Sequence, residues 1–220
     1  TFALKQSAKE ALHNAMLALH SGNDVSGLSV GIDAVDRMTG GLGEGELVIL
    51  AGRPGMGKST FALNIARHVC ATTPTAFFSL EMPHEQLGRK MLAYEAGISS
   101  TAIKTGMIRN READLQNAVK AFGDLQFTIF DKPDVTLGYM RSKLHQLQAK
   151  SGKPVGLIVV DYLQLMTGDT RNGRVQEIGG LSRGLKVLAK DFACPVIALS
   201  QLNRQCEQSE NKRPLMGDLR

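Results

Sequence analysis

An α/β fold, a mostly parallel sheet covered by helices on both faces, is what this sequence predicts, and three observations predict it. Apolar runs of strand length alternate with amphipathic segments long enough to cross from one parallel strand to the next. The first run, Glu46 to Ala51, leads directly into Gly52-Arg53-Pro54-Gly55-Met56-Gly57-Lys58-Ser59, and helical spacing follows. Three polar residues fit for chemistry, Glu81, Asp161 and Gln201, stand just past the ends of further runs, where open parallel sheets bind their ligands.

In chain order, Phe2 to His20 carries apolar residues at three- and four-residue steps and reads as an amphipathic helix, ended by Ser21-Gly22-Asn23-Asp24. It is either a packing helix of its own domain or a docking helix for a neighbouring subunit. Thr39 to Gly45 reads as turn, and Ser59 to Val69 as the helix after the glycine-rich loop. Thr75 to Leu80 reads as a buried strand, with helices over Pro83 to Ala96 and Asn110 to Phe122. A strand at Gln126 to Phe130, a helix at Thr136 to Lys150 and a strand at Val155 to Asp161 come next. A helix from Val175 to Asp191 and a strand at Pro195 to Ser200 complete the pattern, and the run from Leu202 to Arg220 is polar and charged.

The 220 residues, 43% hydrophobic, suffice for one well-buried core, and two ordinary domains would be a squeeze. The longest apolar runs, such as Leu157-Ile158-Val159-Val160, are far too short to span a bilayer, so no membrane is expected. Cys70, Cys194 and Cys206 show neither metal-site spacing nor a disulfide framework, which suits a reducing, cytoplasmic compartment. The net charge of +5 permits a polyanionic partner without requiring one.

The stretch from Gly52 to Ser59 has the P-loop pattern G-x-x-x-x-G-K-[ST]. Its backbone N–H groups, with Arg53, Pro54, Gly55, Met56 and Thr60 completing the cradle, are expected to converge on phosphate at a helix N-terminus. Lys58 is expected to reach the β- and γ-phosphates, and the Ser59 hydroxyl to ligate Mg²⁺ beside ATP or another NTP. Asp161, closing an apolar run, has the Walker B pattern of a carboxylate serving the metal; as a bland alternative it caps the next turn. Glu81 is a candidate to orient or deprotonate the attacking water, or else a carboxylate near the start of the following helix. The Gln201 amide is a candidate γ-phosphate sensor, or a strand-end glutamine satisfied by backbone. Arg204 and Arg213 are possible arginine fingers, and nothing in their spacing selects either.

Further segments carry a resemblance. Ser79-Leu80-Glu81-Met82-Pro83, Asp161-Tyr162-Leu163-Gln164-Leu165-Met166, Leu199-Ser200-Gln201-Leu202-Asn203-Arg204, and Lys212-Arg213-Pro214 through Asp218-Leu219-Arg220 follow the P-loop in order. Together they resemble the signature segments of the bacterial replicative DNA helicase of the DnaB type, over about Val30 to Arg220. The resemblance implies a RecA-like P-loop NTPase core over residues 25–220 and a linker helix over residues 1–24 that docks on the adjacent protomer. It also implies a homo-hexamer translocating on single-stranded DNA, with primase and a helicase loader as partners.

Within that resemblance Glu81 activates water, Lys58 and Ser59 hold phosphate and metal, Asp161 serves the metal, Gln201 senses the γ-phosphate, and Arg220 contacts DNA. Members of the family continue past the Asp-Leu-Arg segment to an arginine finger and precede the linker with another domain. Neither is in this sequence, so it is expected to be a fragment, truncated at its C-terminal end, that turns over nucleotide poorly alone. Two other classes stay open: a RecA-type recombinase or clock ATPase, and a loader-like protein that binds nucleotide and DNA without unwinding.

Overall fold

The computed structural model describes residues 26–168 and 174–202, together with Lys9, Leu12 and Met16, which are helical. The order of elements is α1 (Asp33–Thr39), β1 (Leu47–Gly52), α2 (Lys58–Val69), β2 (Thr75–Ser79), α3 (His84–Ala96), α4 (Ser100–Thr105) and α5 (Glu112–Ala121). Then come β3 (Phe127–Phe130), α6 (Leu137–Ser151), β4 (Leu157–Asp161), α7 (Arg174–Asp191) and β5 (Val196–Gln201). All strand pairs are parallel, in the spatial order β1-β5-β4-β2-β3.

The two-residue period of the strands divides the core in two. Phe77, Val159, Ile197 and Leu199 face one side, where they pack with Ala62, Leu63, Ala66 and Val69 of α2 and Leu87 and Met91 of α3. Phe78, Val160, Ala198 and Val196 face the other, against Met140 and Leu144 of α6 and Leu181, Leu185 and Leu188 of α7. β2, β4 and β5 are therefore apolar on both faces, as a doubly covered parallel sheet requires. β1, with β5 as its neighbour, is half-buried until Gly52.

Helix ends follow local chemistry. Thr136 accepts a hydrogen bond from the Tyr139 N–H at the start of α6, and Gly152 ends that helix in the left-handed conformation. The strands and long helices match the expected pattern to within a few residues. Two short helices were not expected. α1 lies in a stretch before the Thr39 turn to which the sequence assigns no element, and it is fixed by buried Asp36, whose carboxylate accepts from the Ser29 hydroxyl at 2.7 Å and the Val30 N–H at 2.9 Å. α4 has no buried residue and is held by the Ser99 side chain at its start.

Cys70 and Cys194 are buried and unpaired with each other, and burial pushes their thiols up to about 11 and about 12, which keeps them inert. Among the described residues no helix is long and apolar enough to cross a membrane.

Candidate active site

The sheet topology brings the chemistry together. Gly52, where the P-loop begins, lies beside Gln201 in register, and Ser79 lies beside Asp161. Since β5 and β4 are adjacent, the ends of β1, β5, β4 and β2 form one row. A cleft of about 330 Å³ opens above it, lined by Pro54, Gly55, Gly57, Lys58, Ser59, Thr60, Glu81, Met82, Lys90, Tyr162 and Gln201. The phosphate-loop residues, Glu81 and Gln201 thus share one cavity, with Asp161 buried at its strand end.

The loop is built by its glycines. Gly55 and Gly57 adopt φ of 76° and 85°, the left-handed region that disfavours other residues. Gly57 is also the N-cap of α2, and no side chain caps that helix, so its leading N–H groups face the cleft as donors for an anion. The Lys58 ammonium donates to the Arg53 carbonyl at 3.0 Å, which holds the cation over the loop.

Asp161 is the electrostatic counterweight. It is 1% exposed, and neither carboxylate oxygen has a hydrogen-bond partner. Burial pushes its carboxyl above the usual carboxylate range; the Ser59 hydroxyl pulls it down without closing a bond of good geometry, the Glu81 charge pushes it up, and Lys58 and Lys90 pull it down. A buried carboxylate without partners is costly unless a cation completes it. A hydroxyl and a carboxylate are hard oxygen donors that suit Mg²⁺, which takes few protein ligands and completes its shell with water and phosphate. The residues present therefore fit a Mg-nucleotide. Among the described residues no group of three or more histidine, cysteine or acidic residues could hold a metal ion.

Glu81 sits two residues past β2, at the tip of a turn that the Ser79 hydroxyl closes by donating to the Met82 carbonyl at 2.6 Å and accepting from the Met82 N–H at 3.3 Å. It does not cap α3. The N-cap residue is Pro83, and the His84 N–H donates to the Asp131 carboxylate at 3.0 Å, which also meets the His84 ring at 2.6 Å. Glu81 is exposed, with its side chain available to the cleft.

The fold and the arrangement of strand ends are matched in known proteins. The profile of the DnaB-like helicase C terminal domain fits residues 27–220. This chain belongs to the DnaB-like helicase C-terminal domain family. It is 44% identical to a replicative DNA helicase DnaB of Nostoc over 204 residues, which are 91% of this chain and 23% of that protein. A structure described as the ATPase domain of G40P superposes with a TM-score of 0.87 at 33% identity, covering 96% of this chain and 77% of that one. A structure described as a DnaB-like replicative helicase and its interactions with primase gives 0.86 at 33% identity, covering 96% and 52%. The chain spans between 23% and 46% of the curated relatives it matches. The expected RecA-like core is thus the architecture of this DnaB-family domain.

Lys90 and Tyr162 of the cleft, and Ser79, which closes the turn that carries Glu81, were not singled out for a role by sequence reasoning. Lys90 lies on α3 and reads in sequence as one more solvated helix charge, yet it lines the cleft and acts on Asp161. Tyr162 follows Asp161 and lines the same cleft. Ser79 carries no signal beyond its place one step before Leu80-Glu81. Arg204, Arg213, Arg220, Cys206 and all but three positions of the 2–20 helix lie outside the described residues.

Proposed function

We propose that this chain is the motor domain of a replicative DNA helicase, hydrolysing ATP to move along single-stranded DNA and open the duplex at a fork. The observation that carries this reading is the convergence of the P-loop, Glu81 and Gln201 on one cleft above a buried Asp161 that lacks hydrogen-bond partners. A site built only to hold nucleotide has no use for that carboxylate together with a second one, Glu81, just past the end of the neighbouring strand.

In this reading the loop amides and Lys58 bind the β- and γ-phosphates, and Ser59 and Asp161 are the ligands for Mg²⁺. The metal, when bound with nucleotide, neutralises charge on the phosphate oxygens. Glu81 orients the attacking water and takes its proton, and Gln201 donates its amide to a γ-phosphate oxygen. Arg220 contacts the DNA backbone.

The domain division follows the same reading, with residues 1–24 as a linker helix docking on the next protomer of a hexamer and 25–220 as the ATPase domain. The start of the family match at residue 27 supports that boundary. The exposure of Leu12, 58%, and Met16, 52%, on the helix supports a surface made for another chain. The primase named for the matched helicase structure supports primase as a partner here, with a loader and a cytoplasmic replication fork as the setting.

The test is strand displacement on a forked duplex by the whole protein, with Glu81→Gln as the control. Wild type is expected to displace the strand. Glu81→Gln is expected to bind nucleotide normally and to lose about 10²–10⁴-fold in hydrolysis, the usual worth of a general base. DNA-stimulated hydrolysis with no displacement under any loading condition would overturn the helicase reading in favour of a recombinase-type ATPase.

A further inference from the structure

β5 outlasts its neighbour. The ladder between β4 and β5 pairs Ile158 to Val160 with Val196 to Ala198, whereas β1 stays paired with β5 out to Gly52 beside Gln201. By Ser200 and Gln201 the chain of β4 has turned away, through Asp161 and Tyr162, into the short helical turn Leu163–Leu165. One edge of the end of β5 would then lack a strand.

The Gln164 side chain takes that place. Its Nε2 donates to the Ser200 hydroxyl at 2.9 Å and to the Gln201 carbonyl at 3.3 Å, and its Oε1 accepts from the Gln201 N–H at 3.4 Å. A carboxamide presents the same donor and acceptor as a peptide group, so this side chain extends the sheet by one residue. On the other edge the Leu202 N–H donates to the Gly52 carbonyl at 3.3 Å. The backbone of Gln201 is therefore held between the start of the P-loop and the turn that follows Asp161.

We propose that Gln164 is the positioning residue of the γ-phosphate sensor, setting the backbone from which the Gln201 amide reads whether the third phosphate is present. The proposal rests on the nucleotide-hydrolysis reading of the cleft. A side chain aimed from a strand end inherits its direction from the backbone, and a strand held on one edge alone can twist about that edge. With Gln164 in place, Gln201 moves together with Gly52 and with the Asp161–Met166 segment. Without it, the binding of nucleotide persists through the P-loop while the distinction between triphosphate and diphosphate is lost. The chain that continues past Leu202 then receives no signal of hydrolysis.

The experiment compares wild type with Gln164→Leu and Gln164→Glu in the whole protein, measuring affinity for ADP and for a non-hydrolysable ATP analogue with Mg²⁺, and kcat and KM with and without single-stranded DNA. Gln164→Glu keeps the shape and the acceptor and sets an acceptor against the Gln201 carbonyl, so it decides the matter if Gln164→Leu fails to fold. ADP affinity is expected to stay within about twofold. Preference for the ATP analogue and kcat are each expected to fall about tenfold, the worth of a part-buried hydrogen-bonded anchor, and DNA stimulation to disappear. Unchanged analogue preference and unchanged DNA stimulation in Gln164→Glu would overturn the proposal. A wild type that prefers the ATP analogue but never hydrolyses it would instead overturn the motor reading, with the analogue preference of the variants still deciding the role of Gln164.

Discussion

The loop from Gly52 to Lys58 and the end of β4 serve the same cleft, yet they are built on opposite terms. Pro54, Gly55, Met56 and Gly57 are exposed, Met56 at 71%, while Asp161 is at 1% and sits on a strand buried on both faces. The loop holds its shape by backbone conformation, with little packed around it. The carboxylate holds its place by packing, at the cost of a charge without a partner. The difference teaches that the two sides fail differently: damage to the loop is felt by the ligand, and change at Asp161 is felt by both the ligand and the fold.

The largest expected effect separates the two in one pair of variants. Lys58→Ala removes a half-buried cation at the cleft mouth and is expected to abolish hydrolysis and weaken nucleotide binding with no change in melting of the nucleotide-free protein. Asp161→Asn is expected to lose about 10²–10³-fold in hydrolysis, as when a transition-state charge loses a preorganised partner. It is nevertheless expected to melt higher than wild type without nucleotide, since the buried charge is gone. Single-turnover hydrolysis and thermal melting of both variants measure this, and a lower melting point for Asp161→Asn would erase the contrast.

A pH series sharpens the same contrast with a smaller effect. The folded carboxyl of Asp161 titrates above its unfolded value, so the unfolded chain releases the proton first. Its contribution to stability is present below the ordinary carboxylate range and is lost as pH rises through the raised value. Without divalent cation, the stability of Asp161→Asn relative to wild type should therefore grow across that window and then level off. Taking the difference cancels Asp36 and Asp131, whose carboxyls lie below their usual range and act in the opposite sense. Mg²⁺ at neutral pH should raise the melting point of wild type and leave the variant unmoved. Denaturant titrations at several pH values would contradict this if the difference stayed flat.

The same division explains what the sequence made legible. The P-loop is encoded locally, by glycines that permit left-handed backbone and a lysine at fixed spacing, so Gly52 to Ser59 could be read without knowing the fold. The strands could be read because Ala76 to Phe78, Leu157 to Val160 and Val196 to Leu199 are unbroken apolar runs, and that pattern survives any arrangement of neighbours. Strand order could not: β1 lies beside β5, the last described strand, and no periodicity records that crossing. Nor could the surroundings of the cleft residues. Lys90 is one charge on a helix until α3 is placed against the cleft, and Gln164 is one polar residue in a turn until β4 stops short of β5. The short helices α1 and α4 escaped because six or seven residues carry too little period to see, and one depends on tertiary bonds to Asp36.

The smallest effect comes from two glycines that test each side by adding one methyl group. At Gly57 nothing lies within 4 Å of an added Cβ, so the only penalty of Gly57→Ala is its φ of 85°. An exposed loop can escape that penalty, on the order of 1 kcal/mol, by rearranging, which leaves the melting point unchanged and misaims the first amides of α2. Nucleotide affinity should then fall by about fivefold. At Gly156, just before β4, an added Cβ would lie 2.2 Å from the Thr73 hydroxyl and 2.9 Å from its Cβ, and a branched side chain packed beside a strand has little room to yield. Gly156→Ala should lower stability on the order of 1 kcal/mol through that crowding and leave nucleotide affinity alone, because the strand end at Asp161 lies five residues further on. Melting curves and nucleotide titrations on both variants give a double dissociation if the open loop and the packed strand are independent. A fall in affinity for Gly156→Ala equal to that for Gly57→Ala would mean instead that crowding at the base of β4 reaches the cleft, and that the two sides respond as one unit.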